Sequence, residues 1–299
     1  MKTSKIAIGS WAFSFGPYEK NPWTFEQVCK YAGEHGYDGI EINGFRPHPH
    51  PDDYATDEKC AQLKAMIESY GLGISGFAAD FRDVPPALVS EAEFLSEVKK
   101  CLEFCRRMGI DVLRVDTITA PDAVAPELYH QHFKNLTDNW RAAAELCKAY
   151  DVLMVWEFEP GFWLNKPSEV KLAVDTVNHP NFKLLFDSSH AYMCAVVGAR
   201  HNGEKEILKG GVNEFAAMVK DQIGHWHLID CDGTLHNDET STHSPFGTGQ
   251  VDFKSFMQEF KDDLEQANWW TFDFCFCPTT EIDAKDAIPY IKRLADQIT

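Results

Sequence analysis

Apolar and polar positions follow two rhythms that alternate from one end of the chain to the other. Short unbroken runs of Val, Ile, Leu, Phe and Trp read as strands buried on both faces. Each is followed by a longer stretch whose apolar residues recur every three or four positions, the mark of an amphipathic helix. The first pair is Lys5–Trp11 with Thr24–His35, where Phe25, Val28, Tyr31 and Ala32 share one face. Next come Gly39–Ile42 with Cys60–Tyr70, Gly73–Ala79 with Ala92–Met108, which Gly109 stops, and Val112–Thr117 with Leu128–Tyr150. The second half repeats the theme. Leu153–Phe158 precedes a helix Glu169–Val177 with Ser168 as N-cap, and Phe182–Asp187 precedes Glu214–Ile223. His225–Asp230 leads to Phe253–Gln266, and Trp270–Phe276 to the closing helix Ala284–Gln297.

Eight β-then-α units without a composition break predict one domain over residues 1–299. Parallel strands need crossover helices of this kind, so the fold class is α/β. The size suits a single-domain (β/α)8 TIM barrel, whose usual length is about 250 residues before loop insertions. A doubly wound open sheet fits less well, because no strand runs into a Gly-rich dinucleotide or phosphate turn. Two long loops, Asn43–Asp57 and Cys231–Asp252, follow the second and seventh strands. Loops at that end of a barrel enclose substrates.

Composition narrows the partners. Acidic residues outnumber basic ones 46 to 28, a net charge of −18, which argues against nucleic acid and anionic membranes. No apolar run approaches membrane-spanning length. Met1–Lys5 leads straight into the first strand without a signal-peptide core, and the nine cysteines form no C-x-x-C pair. They read as small buried hydrophobes in a reducing compartment, with Cys275 and Cys277 facing helices or core, and the expected location is the cytoplasm.

Chemistry concentrates at the ends of the last four barrel strands. Leu184-Leu185-Phe186 runs into Asp187, with His190 three positions on; alone, Asp187 reads as a helix cap. Strand five ends at Glu157 and Glu159, strand seven contains His225, His227 and Asp230, and strand eight carries Asp273. A lone buried charge costs several kcal/mol, on the order of measured ion-desolvation penalties. Four interrupted strands in succession are better explained by convergence on a cation. Glu157, Asp187, His227 and Asp273 offer three carboxylates and an imidazole. Such a set suits Mn²⁺ first, with Mg²⁺, Co²⁺ or Zn²⁺ as alternatives. Glu159 shares a strand face with Glu157, so either fits. His225 shares a face with His227 one layer deeper and reads as a hydrogen-bonded core histidine.

The order of Glu on strand five, Asp-x-x-His on strand six, His-x-x-Asp on strand seven and an acid on strand eight resembles the xylose isomerase-like TIM barrel superfamily. This is the group of ketose 3-epimerases, hydroxypyruvate isomerase and inosose dehydratase, and the resemblance runs the length of the chain. It implies Glu157, Asp187, His227 and Asp273 as metal ligands and His190 as a contact to substrate hydroxyls. It favours Glu157 over Glu159, leaving Glu159 to orient a ligand or an arginine. It further implies an enediolate formed when a carboxylate, by analogy Glu157, removes a proton beside a carbonyl. Asp273, His190 or another acid then returns the proton, for isomerisation or epimerisation of a keto-sugar or polyol. Loss of a substituent instead gives a lyase, as in inosose dehydratase or the large subunit of C-glycoside deglycosidases, which works with a small partner subunit. The superfamily pattern places Glu at the eighth strand, so Asp273, one methylene shorter, puts its acid/base role in doubt and gives the lyase branch weight. Glu281 is a remote substitute. A small carbohydrate substrate and a homo-oligomer are expected. An apurinic endonuclease shares the fold but needs further histidines and a basic groove.

Other polar residues complete the picture. His243-Ser-Pro-Phe-Gly-Thr-Gly resembles the Pro-Gly-x-Gly loop of these barrels, and His243 is a candidate substrate contact. Arg114 is the clearest donor among Glu41, Asp80, Arg114 and Asp116, which are expected along the sugar side of the pocket. His48 and His50 read as part of a lid. Trp11, Phe13, Phe77 and Trp163 offer either an apolar wall or core packing.

Overall fold

The structure, a computed structural model, describes residues 1–298. β-branched and aromatic residues build ten strands among them: β1 (Lys5–Gly9), β2 (Gly39–Asn43), β3 (Gly73–Ala78), β4 (Val112–Val115) and β5 (Leu153–Glu157) in the first half. β6 (Phe182–Asp187), β7 (Ile223–Leu228), β8 (Asp230–His236), β9 (Thr240–Ser244) and β10 (Trp269–Phe272) follow. β1, β10, β7, β6, β5, β4, β3 and β2 pair in that order and close into a barrel, every pairing parallel. The alternation of runs thus resolves as the expected TIM barrel.

Apolar side chains pack between the strands and the outer helices. Trp140 of helix Tyr129–Ala149 meets Trp156 of β5 with ring centroids 4.8 Å apart. Phe186 of β6 lies against Phe215 and Phe256 of two other helices. Inside the barrel the filling is polar: Glu41, Ser75, His225, His227 and Thr271 are all buried. Branched apolar residues fill most such barrels. Among the described residues, no helix is long and apolar enough to cross a membrane.

Several local expectations are corrected. The helix after β5 begins at Pro167 with Lys166 as its N-cap. Proline suits the first helical turn, and the Ser168 hydroxyl is engaged by Glu206. The loop Cys231–Asp252 contains the antiparallel hairpin β8–β9. Asn237 and Asp238 at its tip take positive φ (51° and 58°), a turn signal hidden in a polar stretch. β10 stops at Phe272, because the Asp273 carboxylate accepts the Cys275 N–H at 2.8 Å and curls the chain. Strand alternation ends there, and Cys275 faces the cavity instead of the core.

Candidate functional site

Register brings the polar strand ends together. Asp187 of β6 pairs with His227 of β7, which pairs in turn with Thr271 of β10. Glu157 ends β5 beside Leu185 of β6, and Asp273 follows β10 with its N–H directed to Leu228 O. One donor atom from each of Glu157, Asp187, His227 and Asp273 lies within 4.8 Å of all the others. Two donors on opposite sides of one ion, each about 2.1–2.4 Å from it, sit about 4.2–4.8 Å apart. None of the four residues is more than 2% exposed.

Their remaining atoms are held by neighbours. Asp187 Oδ1 accepts the His190 N–H at 2.8 Å, capping helix Ser188–Tyr192, while Oδ2 has no partner. Capping and convergence are therefore two faces of one carboxylate. Trp11 Nε1 donates to Asp273 Oδ1 at 2.6 Å, leaving Oδ2 3.6 Å from His227 Nδ1. Trp11 can lie there because Gly9 carries no Cβ, which would sit 2.2 Å from the indole ring. His227 Nε2 lies 3.1 Å from Glu41 Oε2, and although burial works against its charged form, Glu41 and Glu157 hold the ring's pKa well above the ordinary value, so it carries a proton that a cation at Nδ1 would displace. Nδ1 lies 2.8 Å from Glu157 Oε1 but out of hydrogen-bond alignment, so both atoms are unsatisfied. Glu157 Oε2, beside Arg114, is likewise unaligned, and both nitrogens of His243 lack partners. Each unsatisfied buried polar atom costs about 1–3 kcal/mol. Convergence of several on one point fits a divalent cation, which would satisfy them together.

Electrostatics point the same way. Burial, together with the neighbouring Asp273 and Glu157, pushes the Asp187 carboxyl up to about 7. A proton there relieves the crowding of three carboxylates, and a cation would displace it. Burial also works against ionised Asp273, yet the facing His243 and His227 hold that carboxyl well below the usual range. Burial pushes Glu159 up to about 8, so its carboxyl keeps its proton at neutral pH, and pushes His190 down to about 3, so its ring is neutral.

A cavity of about 400 Å³ opens above this cluster, a volume typical of small-molecule sites. Glu157, Glu159, His190, His243, Asp273, Arg114 and Asp116 all line it. Arg114 is oriented by Asp116, whose Oδ1 accepts from Nε at 3.1 Å. The hairpin supplies the opposite support: Ser241 Oγ bonds His190 Nδ1 at 2.8 Å, and the Thr240 hydroxyl donates to Glu159. The base of the hairpin is tied by Asp230, which accepts the N–H groups of Cys231, Gly247, Gly249 and Val251. A Cβ on Gly249 would sit 2.4 Å from Asp230 Oδ1, so this approach needs glycine. Ile118 and Phe276, also on the cavity wall, are held at φ of 62° and 59°. Such conformations in branched or bulky residues store roughly 1–3 kcal/mol each and gather at functional sites.

Other expected positions fall elsewhere. Glu41 does not line the cavity; it lies beneath the cluster, accepting from His225 Nε2 at 2.9 Å and from Thr271 as well as His227. Asp80 is occupied by Arg82, and it is Arg82 that reaches the cavity. His48 is no lid: it is 1% exposed and bonded to Ser10, Ser14 and the Trp23 carbonyl. His50 contacts Arg46 and Asp52 outside the cavity. Phe13, Phe77 and Trp163 pack in the core, whereas Trp11 faces the cavity. Glu281 is exposed on helix Thr280–Asp296. The cavity's own phenylalanines, Phe15, Phe45, Phe162 and Phe276, are not marked in the sequence, because single residues in separate loops carry no periodic signal.

Residues 29–274 match a family profile described as xylose isomerase-like TIM barrel. Fructoselysine 3-epimerase of Escherichia coli O157:H7 is 23% identical over 246 residues, which cover 79% of this chain and 81% of that protein. A solved D-tagatose 3-epimerase-like protein superposes with a TM-score of 0.72 at 18% identity, covering 98% of both chains. The 3-keto-D-glucoside 4-epimerase from E. coli superposes with a TM-score of 0.70 at 15% identity, covering 97% of this chain and 99% of that one.

Proposed function

The chain belongs to the xylose isomerase-like TIM barrel family, and from that premise we propose that it is a divalent-metal-dependent sugar isomerase or epimerase acting on a keto-sugar or polyol. The observation that carries this reading is the convergence of Glu157, Asp187, His227 and Asp273, with unsatisfied buried atoms, on the floor of a polar-bottomed cavity. The relatives named above are epimerases of sugars or sugar derivatives by their names.

The four residues would hold the ion, Mn²⁺ being the best match to three carboxylates and one imidazole. When bound, it would act as a Lewis acid toward a carbonyl and a neighbouring hydroxyl, lowering the cost of an enediolate. Glu157 is the base that takes the proton from the adjoining carbon. Burial disfavours its ionised form, but Arg114 and His227 keep it ionised and so ready to accept. His190, neutral and anchored by Ser241, presents Nε2 to substrate hydroxyls. Glu159 holds a proton at neutral pH and lies 3.5 Å from that nitrogen, so it can donate a hydrogen bond to the sugar beside His190. Arg114 and His243 add donors on either side. Return of the proton to the opposite face gives epimerisation, and return to the next carbon gives isomerisation.

A lyase outcome on the same enediolate is the second reading. Asp273 favours it: with Trp11 and the Cys275 N–H on Oδ1 and a carboxyl held well below its usual range, it is a poor second base. Without a second group to protonate the opposite face, the enediolate can instead expel a β-substituent that takes up a proton as it leaves. The small partner subunit and the homo-oligomer belong with these readings as proposals.

Incubating the Mn²⁺-loaded protein in D₂O with ketoses, inososes and 3-keto-glycosides tests the reading by NMR. Deuterium entering the carbon beside the carbonyl is expected, and the product separates epimerase from lyase. No exchange with any of them at full metal loading overturns it.

A further inference from the structure

The polar floor leaves the upper cavity without a role, and there the lining changes character. Phe15, Phe45, Phe162 and Phe276 line it, all half-buried, and none packs into the hydrophobic core. A phenylalanine outside the core forgoes the burial that drives folding. Four of them around one cavity form an apolar surface of the kind that receives a ligand. They form two walls. Phe15 lies 5.7 Å from Phe276 and 6.2 Å from Phe45, ring centroid to ring centroid, beyond β1, β10 and β2. Phe162 follows β5, which stands across the barrel from β1. His236 of the hairpin stacks on Phe276 at 4.2 Å, and the Arg82 guanidinium lies 4.4 Å from the Phe45 ring centre. These two contacts brace the first wall.

Charge excludes an anionic ligand at the same place. The cavity's arginines are each already opposite a carboxylate: Arg82 with Asp80, Arg114 with Asp116 and Arg200 with Asp122. A sugar phosphate would meet no uncompensated arginine there, while Glu239 adds an acidic side chain to the lining.

We propose that the site takes an uncharged keto-sugar bearing a flat apolar or aromatic substituent, a glycoside of an aromatic alcohol being the simplest case. The sugar ring rests on the polar floor, and the substituent sits between the two phenylalanine walls. The inference deepens the sugar-enzyme reading and rests on it for the position of the sugar, but its test does not depend on turnover.

Calorimetric titration of the purified protein with phenyl and methyl glucosides, and with glucose 6-phosphate, measures the substituent directly. Phenyl glucoside is expected to bind about 10–100-fold tighter than methyl glucoside, the gain of one or two aromatic contacts. Phe45→Ser on one wall and Phe162→Ser on the other should each cut that ratio about fivefold or more. Equal affinity for the two glucosides in the natural protein overturns the proposal. So does a ratio that stays fixed in both variants, or tighter binding of the phosphate. A phenyl preference without exchange of any keto-sugar would keep the substituent site and remove the epimerase reading. Exchange without a phenyl preference would do the reverse.

Discussion

Two polar layers sit one above the other inside the barrel, and they share His227. The lower layer joins Glu41, His225, Thr271 and the Nε2 side of His227, with Ser75 completing it at 3.2 Å from Thr271. The upper layer joins Glu157, Asp187, Asp273 and the Nδ1 side of His227. Both bury carboxylates and imidazole, and either would read as a metal cluster by composition alone. They differ in satisfaction. In the lower layer both oxygens of Glu41 are hydrogen-bonded, whereas the upper one leaves Glu157, Asp187 Oδ2 and His227 Nδ1 unpaired. A closed network is a structural support, and an open one at equal burial marks where something else must bind.

The largest break in this contrast should come from the upper layer. Asp187→Asn should release the divalent metal and abolish turnover, while the metal-free protein melts at or above the natural chain's Tm. Asn resembles the protonated carboxyl that the metal-free site already favours. His190→Ala should keep the metal and lose turnover alone. Metal analysis beside calorimetry checks both, and equal metal retention by the two variants would erase the distinction between ligand and substrate contact.

A smaller effect is expected from below. Glu41→Gln should weaken metal affinity by about 10–100-fold, the usual cost of removing a partner that orients a ligating histidine. Competition with a fluorescent chelator reads that loss. An affinity unchanged by Glu41→Gln would mean that the lower layer does nothing for the upper one.

The smallest effect lies outside both layers. Burial lowers the pKa of His48, so the folded chain resists protonation that the unfolded chain accepts below about 6.5. The unfolded state then binds more protons, and stability falls with pH from that value downward, by at most about 1.4 kcal/mol per unit for one group. In His48→Gln, denaturant melts between pH 7 and pH 5 should show a shallower slope. An unchanged slope would assign the acid sensitivity to other groups.

Much of the upper layer is legible in sequence because an ionisable residue interrupting an apolar strand is conspicuous on its own. The lower layer is legible only in His225, which reads as a hydrogen-bonded core histidine and bonds Glu41 at 2.9 Å; its partners depend on closure of the barrel. Glu41 of β2 reaches His225 and His227 only after β2, β1, β10 and β7 have come round in order. His48 looks like a lid residue in a proline-rich loop, yet its partners Ser10, Ser14 and Trp23 come from the segment after β1. Cys275 leaves the strand alternation for a local reason, the turn that Asp273 makes by accepting its N–H. The hairpin was readable in Asn237-Asp238, but a polar stretch with few β-branched residues masks its strands.

The knot at Asp230 has a consequence for how such a chain diversifies. One carboxylate fixes the root of the hairpin through four backbone N–H groups, those of Cys231, Gly247, Gly249 and Val251. The tip, residues 237–239, bears none of that load. Drift in length or composition there can reshape the rim of the cavity without disturbing the polar cluster on its floor, so new substrates become reachable by small mutational steps.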